Sequence, residues 1–293
     1  MKVIWAVLCA VALAGCATSG KTTAERSIGD DPLTVMTFNL RYADTKKPHA
    51  WPDRRPIMRD CIRTVHPDVI GTQEGLYGQL KDIAADLPDY SWIGTGRDGG
   101  SRGEFMAVFY RKDRLVPLDY DYFWLSDTPN VIASSTWGNT CRRMVTLVKF
   151  EDLRTKQQFY FIDTHLDHQV QAAREKAAEL ILKRVLALKT PLPVLLVGDF
   201  NALNTNKAYS ILVGDGAFSD TWYAAAKRIN EDSNSFTGYE PPVKKSERID
   251  WILSRGPVGV DMSEVVTYAE NGETPSDHFP VMAKVKLGKI ARK

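Results

Sequence analysis

Cysteine is scarce in this chain, with four residues in 293. Two of them, Cys9 and Cys16, fall in or beside an apolar N-terminal run, which leaves Cys61 and Cys141 for the body of the protein. A disulfide-stapled scaffold is thereby excluded; a single bridge is the upper limit, and two buried free thiols are expected instead. Basic charge is not concentrated anywhere either. Lys and Arg number 38 against 36 acids, a formal net charge of +2. The absence of a long basic block argues against a non-specific nucleic-acid binder with a basic face. The N-terminal apolar run is too short to span a bilayer comfortably, and no later segment is apolar enough to cross one. No internal repeat and no Pro/Gly/Ser-rich break interrupts the middle, so one domain is expected, as in other large α/β sandwiches of this length.

What is present begins at the N-terminus. Met1 and Lys2, followed by the apolar run Val3 to Leu13, have the charged start and short apolar core of a secretory signal peptide. Leu13-Ala14-Gly15-Cys16 resembles the bacterial lipobox, so residues 1–15 are expected to be removed and Cys16 lipid-modified as the new N-terminus. Ala17 rather than Asp follows, which by analogy with Gram-negative lipoproteins favours the outer membrane. Residues 16–31 are small, polar and charged and read as a flexible tether, and residues 32–293 as the folded domain. The expected protein is a monomer of the cell envelope, held to the membrane by its lipid and facing the periplasm or the exterior.

The domain reads as an alternation of strands and helices with too many strands for one sheet. Strands are expected at Leu33–Arg41, Val69–Gln73, Ser91–Thr95, Phe105–Arg111, Leu115–Trp124, Met144–Phe150, Gln158–Thr164, Val194–Val197, Arg248–Leu253, Glu264–Tyr268 and Val281–Lys286. Helices are expected at Arg54–Val65, Leu76–Leu87 and Val170–Leu188. The last of these carries Val170, Ala173, Ala177, Leu180, Ile181, Val185 and Leu188 as one apolar stripe. Val194–Val197 is an uninterrupted apolar run, the pattern of a strand covered on both faces. An α/β four-layer sandwich, two packed mixed sheets flanked by helices, would bury this set.

Polar groups gather where these apolar strands end. Asp199 and Asn201 follow Val197 and Gly198; residues two apart in an extended chain point the same way, so acid and amide can converge on one ligand. A carboxylate beside such a run is costly unless paired or metal-bound. Glu74 and Asn39 each close an apolar strand, the place where open α/β sheets collect ligands. His165 ends another strand, and Asp277-His278 precede the final one. Asp250 alternates within an otherwise apolar strand and needs a partner, for which an imidazole is suited. His168 has no third soft ligand nearby and is expected to cap the following helix or sit on a rim.

Six motifs in order, Thr37-Phe38-Asn39, Gln73-Glu74, Thr164-His165-Leu166, Gly198-Asp199-Phe200-Asn201, Arg248-Ile249-Asp250 and Ser276-Asp277-His278, resemble the endonuclease/exonuclease/phosphatase superfamily. That superfamily has the DNase I-like fold and includes sphingomyelinases, inositol polyphosphate 5-phosphatases and deadenylase-type RNases. The intervening text is similar to a secreted bacterial branch distantly like the deadenylases. The resemblance implies Glu74 as principal Mg²⁺ ligand, with Asn39 and Asp277 close by and Mn²⁺ as a substitute. It implies Asp199 orienting or deprotonating the attacking water, Asn201 holding the water or phosphate, Asp250 fixing His278, and His165 donating to a phosphoryl oxygen. Oxygen ligands suit those ions better than zinc.

The substrate is less legible. Arg41, Arg97 and Arg143, with Arg102 and Arg142, are candidates to clamp an anion. The loop Arg97–Gly103 reads as flexible rim, and Trp51, Trp124 and Trp137 offer rings either for base stacking or for the core. A phosphodiesterase for nucleic acid, phospholipid or a small diester is the first expectation. A phosphomonoesterase for sugar, inositol or lipid phosphates is the second, and a non-catalytic envelope module the third.

Overall fold

The computed structural model describes residues 31–240 and 245–288. The expected signal peptide, Cys16 and all of the tether but Asp31 lie outside the described residues. The elements in chain order are β1 (Leu33–Asn39), α1 (Trp51–Val65), β2 (Val69–Leu76), α2 (Tyr77–Asp86), β3 (Tyr90–Ile93), β4 (Glu104–Arg111), β5 (Leu115–Trp124), β6 (Met144–Asp152), β7 (Gln158–His165), α3 (Gln171–Ala187), β8 (Val194–Asp199), α4 (Lys207–Val213), β9 (Ser219–Asp220), α5 (Thr221–Ala224), β10 (Lys227–Ile229), β11 (Asp250–Arg255), β12 (Val258–Val265) and β13 (Val281–Leu287). Among the described residues no helix is long and apolar enough to cross a membrane.

The strands form a seven-stranded sheet, β10-β12-β13-β1-β2-β4-β3, and a six-stranded sheet, β5-β6-β7-β8-β11-β9. Period-two alternation sorts their side chains into two faces. Val35, Val69 and Val108 of the first sheet meet Val148, Phe161, Leu195, Val197 and Ile252 of the second, and these form the inter-sheet core. The opposite face of the first sheet (Met36, Phe38, Ile70) packs under Met58, Ile62, Leu80 and Ile83 of α1 and α2. On the second sheet, Val145, Ile162 and Leu196 pack under Ala177, Ile181 and Leu212 of α3 and α4. The architecture is the four-layer α/β/β/α sandwich.

Strand direction decides where the polar residues meet. β1 and β2 run parallel, as do β7 and β8, so Asn39, Glu74, His165 and Asp199 all lie toward the same ends. Their antiparallel neighbours begin where these finish. β4 starts at Glu104 opposite Leu76, β6 starts just after Arg143, β11 starts with Asp250 opposite Asp199, and β13 follows His278. One end of the sandwich therefore gathers every motif. Gly198 is needed there because a Cβ would run into the carbonyl of Thr164 on the parallel neighbour.

Several expected boundaries shift. α1 begins at Trp51, with a proline in its first positions and Pro56 inside, three residues before the expected start. β12 is Val258–Val265 rather than Glu264–Tyr268; a bulge between Val260 and Met262 breaks its alternation. Helices α4 and α5 and the short strands β9 and β10 carry no periodic signal of their own. Of the two thiols expected to be buried and free, Cys61 is buried and free on α1, whereas Cys141 is free but only half-buried in the loop before β6.

Candidate active site

The site is built on a hydrogen-bonded bridge between the two sheets. Asn39, wholly buried at the end of β1, donates through Nδ2 to Glu74 Oε1 and to Asp199 Oδ2, both at 3.0 Å. Its Oδ1 accepts from the Arg41 N–H at 2.9 Å. Asn39 thus turns its amine toward two carboxylates and braces them. Glu74 sits at a bulge in the β2–β4 pairing with φ of 63°. That left-handed backbone costs about 1–3 kcal/mol and swings the carboxylate off the sheet to meet Asn39 and the Tyr42 N–H.

Asp199 Oδ1 accepts from the Asn201 N–H at 2.9 Å. Its Oδ2 lies 3.3 Å from His165 Nε2 and 3.8 Å from His278 Nε2. His278 Nδ1 is 3.0 Å from Asp250 Oδ2, and Ser235 Oγ anchors the Ile249 and Asp250 N–H groups. Ser276 Oγ donates to the Asn39 carbonyl at 2.7 Å, which ties the Ser276–His278 turn to β1. Asn201 Nδ2 donates to His165 Nε2 at 2.9 Å and to the Leu166 carbonyl at 3.1 Å. With the amide donating, Nε2 accepts and the ring proton resides on Nδ1.

Burial and neighbouring charge drive these groups apart in protonation. Burial, and then the charge of Asp250, raises Asp199 to about 7. Burial opposes the charged form of His278, but Asp250, Asp199 and Asp277 overcome it and hold the ring up to about 10. His165 goes the other way, pushed well below its ordinary value by burial and by the nearby Arg143. One imidazole is therefore a cation at neutral pH and the other is neutral. Asp277 is raised by burial, with the charge of Glu74 adding to it.

These residues line a pocket of about 400 Å³ together with Arg41, Arg97, Glu104, Arg143, His168, Cys141, Phe236 and Ile249. Arg143 is buried, spends Nη2 on His168 Nδ1 at 3.1 Å, and leaves Nε and Nη1 without a partner among the described residues. Arg97 pairs with Glu104, and Arg41 stands 3.7 Å from Asp277. Of the acids, amides and imidazoles anticipated from the motifs, Glu74, His165, Asp199, Asn201, Asp277 and His278 line it with Arg41, Arg97 and Arg143, while Asn39 and Asp250 stand behind the wall and hold Glu74, Asp199 and His278. Arg102 and Arg142 do not line the pocket; they hold the 97–103 loop through Asp98 and Gly99. Trp51 and Trp124 are buried and unavailable for stacking, and Trp137 is tied to Asp127. His168 is on the rim, and Asp167 rather than His168 caps the turn into α3. Glu104, Phe236 and Ser235 were not signalled by any motif, since only the tertiary fold brings them to the site.

The sequence profile of the Endonuclease/Exonuclease/phosphatase family matches residues 36–278, from β1 to the Ser276–His278 turn. The chain belongs to that family. A family member from Bacteroides thetaiotaomicron is 32% identical, with 87% of this chain and 97% of that chain covered and a TM-score of 0.82. A mannosyl-6-phosphatase of the same organism is 33% identical over 86% of this chain and 99% of its own, also with a TM-score of 0.82. The human nocturnin catalytic domain, at 17% identity, covers 88% of this chain and 95% of its own with a TM-score of 0.69, and shares the fold. Comparison with curated protein sequences gave no significant match.

The chain is thus a phosphoester hydrolase of the endonuclease/exonuclease/phosphatase family, whose members generally depend on a divalent metal. Its pocket fits such an ion. Glu74, His165 and Asp199 offer ligand atoms within 4.8 Å of one another. Carboxylates crowded until burial and mutual repulsion raise Asp199 and Asp277 are stabilised in their charged form by a cation. In the second such group, Asp199, Asp250 and His278, the His278–Asp250 pair is already engaged at 3.0 Å.

Proposed function

We propose that this protein is a Mg²⁺- or Mn²⁺-dependent phosphomonoesterase acting on a phosphorylated sugar. The observation that carries the reading is the guanidinium of Arg143, a residue of the pocket wall whose buried Nε and Nη1 have no hydrogen-bond partner among the described residues, with His165 and Arg97 nearby. A terminal phosphate brings two negative charges and three oxygens to such a wall, where a diester brings one charge and two free oxygens. Likeness to a mannosyl-6-phosphatase at 33% identity favours the same class. From the motifs alone the diester comes first; these two observations reverse that order.

In this reading Glu74 and Asp277 would hold the cation, with Asn39 keeping Glu74 aligned. Bound there, a metal would offset charge on the phosphoryl and leaving oxygens. Asp199 Oδ2, the oxygen that faces both imidazoles, takes the proton of the attacking water; a carboxyl near neutrality suits a base. His278, kept cationic by Asp250, presents Nε2–H to the phosphate. Asn201 orients the water or the phosphate. His165 holds the Asn201 amide through Nε2; donation from Nε2 to a phosphoryl oxygen, the role the motif resemblance implies, requires the other tautomer and release of that amide. Arg143, Arg97 and Arg41 seat the anion. The lipobox adds a place, the cell envelope, with the protein retained through Cys16; release of a Cys16→Ser variant from membranes is the check.

The test is a panel in Mg²⁺ of mannose 6-phosphate, a generic aryl diester, single-stranded RNA and DNA, and phospholipid, with Asp199→Ala as blank. Turnover of the sugar phosphate is expected to lead. Turnover confined to the diester or to nucleic acid would overturn the monoester assignment.

A further inference from the structure

The two free thiols of the described chain occupy opposite environments. Cys61 lies wholly inside the layer between α1 and the first sheet, and burial pushes its thiol up to about 12. It has no route to a reagent. Cys141 is half-buried in the loop before β6 and lines the active-site pocket. Two residues on, Arg143 lines the same cavity; it is 4% exposed, and its buried Nε and Nη1 have no partner among the described residues. His168 lines that wall as well. A thiol beside an unsatisfied buried guanidinium is placed where an anion is drawn in and held.

We propose that Cys141 is a modification site for anionic disulfides, through which thiol–disulfide exchange closes the pocket. The carboxylates of a disulfide such as oxidised glutathione would seat on Arg143 and the adjoining Arg97. The Cys141 sulfur, having released its proton to solvent, attacks one sulfur of that disulfide. A new S–S bond forms to Cys141, the original S–S bond breaks, and the other half departs as a thiolate that takes up a proton. The disulfide is the only oxidant required. The adduct then occupies the cavity into which Arg143, His165 and Asp199 face, so substrate is excluded until a thiol reductant reverses the exchange. The structural site stands independently of the substrate assignment; its effect on turnover rests on the proposed phosphomonoesterase reading.

The experiment treats the folded, full-length chain with oxidised glutathione and, in parallel, with a dianionic and a neutral aromatic disulfide. Peptide mapping by mass spectrometry reports each cysteine separately. Cys141 is expected to be modified and Cys61 spared. The dianionic reagent should gain about tenfold over the neutral one relative to their rates with free cysteine, and high salt should erase the gain. Inorganic phosphate, the probe for the Arg143 wall, should slow labelling of Cys141. Turnover should fall by about a hundredfold in the modified protein, return with dithiothreitol, and be insensitive to disulfide in Cys141→Ser. An unlabelled Cys141, labelling indifferent to reagent charge and to phosphate, or a Cys141→Ser protein still inhibited by the disulfide would each overturn the proposal. Charge-selective, phosphate-protected labelling in a protein that turns over no sugar phosphate would sink the phosphomonoesterase reading and leave the thiol site standing.

Discussion

Strand β6 has a buried arginine near each end, and the two are treated in opposite ways. Arg114, 1% exposed, meets Asp152 at the end of β6 through Nε and Nη2, each at 2.9 Å, and reaches Asp31 through Nη1 at 3.1 Å. Its charge is favoured: burial alone would lower it, but Asp152, Asp68 and Asp31 raise it. Arg143, just before β6 begins, spends one nitrogen on His168, leaves two unpartnered, and is lowered by burial. The first arginine is a fastener whose partners are all supplied by the chain. The second is incomplete until something anionic arrives. The same distinction separates Asp68, which accepts from the Thr34 N–H and pairs with Arg111, from Asp250, whose Oδ1 has no partner among the described residues.

Four measurements would break or sharpen that contrast. The largest effect is expected from chelation: EDTA should take turnover to background, with recovery on adding Mg²⁺ or Mn²⁺ and little change in Tm. Turnover that survives exhaustive chelation would mean the acidic cluster is not waiting for a cation. Next, Asp199→Ala and His278→Ala should each lower kcat by about a thousandfold or more while the fold persists, read by steady-state kinetics beside circular dichroism. Full activity in either purified variant would refute their assignment.

The arginines themselves make the third comparison. Arg114→Ala leaves the buried Asp152 carboxylate without its countercharge and should cost about 3–5 kcal/mol of stability, with kcat of the folded fraction kept. Arg143→Ala should cost about a hundredfold in kcat/KM and no stability, since it removes a charge that the fold does not pair. Denaturant melts and kinetics on both proteins decide it, and equal loss of stability in the two would dissolve the contrast.

The smallest effect concerns pH. The Asp163 carboxyl lies between the sheets, where burial outweighs its hydrogen bonds from Gln73, Thr164 and Thr72 and holds it well above the usual carboxylate range. Gly71 leaves room for it, since a Cβ there would meet both Asp163 and Val197. The folded chain keeps a proton that the unfolded chain releases near pH ~3.9. Its contribution to stability is therefore complete below that pH and is lost as pH rises toward the folded value. Relative to wild type, Asp163→Asn should gain Tm between pH ~4 and ~7. An offset that stays constant across that range would show that Asp163 does not titrate on unfolding.

What the chain discloses in one dimension follows the same division. The strand Val194–Asp199 is legible because both its faces are covered and its residues are apolar without interruption. The motif residues stand out because a polar group at the end of such a run is improbable without a partner. Arg54 gives no such sign, yet it is buried in α1 and donates to the carbonyls of His49, Leu40, Pro275, Arg41 and Tyr42, holding the loop that carries Arg41. β12 is misplaced for a related reason: a bulged, half-covered strand has no clean period. Roles that depend on which end of an amide faces which neighbour, as for Asn39 and Asn201, exist only in three dimensions.

β13 is the final strand of the described chain, yet it lies in the interior of its sheet, between β12 and β1. Asp277 and His278 immediately precede it, and the Asn39–Asp199 bond joins one sheet to the other. A chain emerging from the ribosome therefore holds no working pocket, however much of it has been made, until this strand slots in beside the first. Neither half of the sandwich is chemically competent alone. A phosphate-cleaving pocket is thus the outcome of one late closure, the insertion of β13 between β12 and β1.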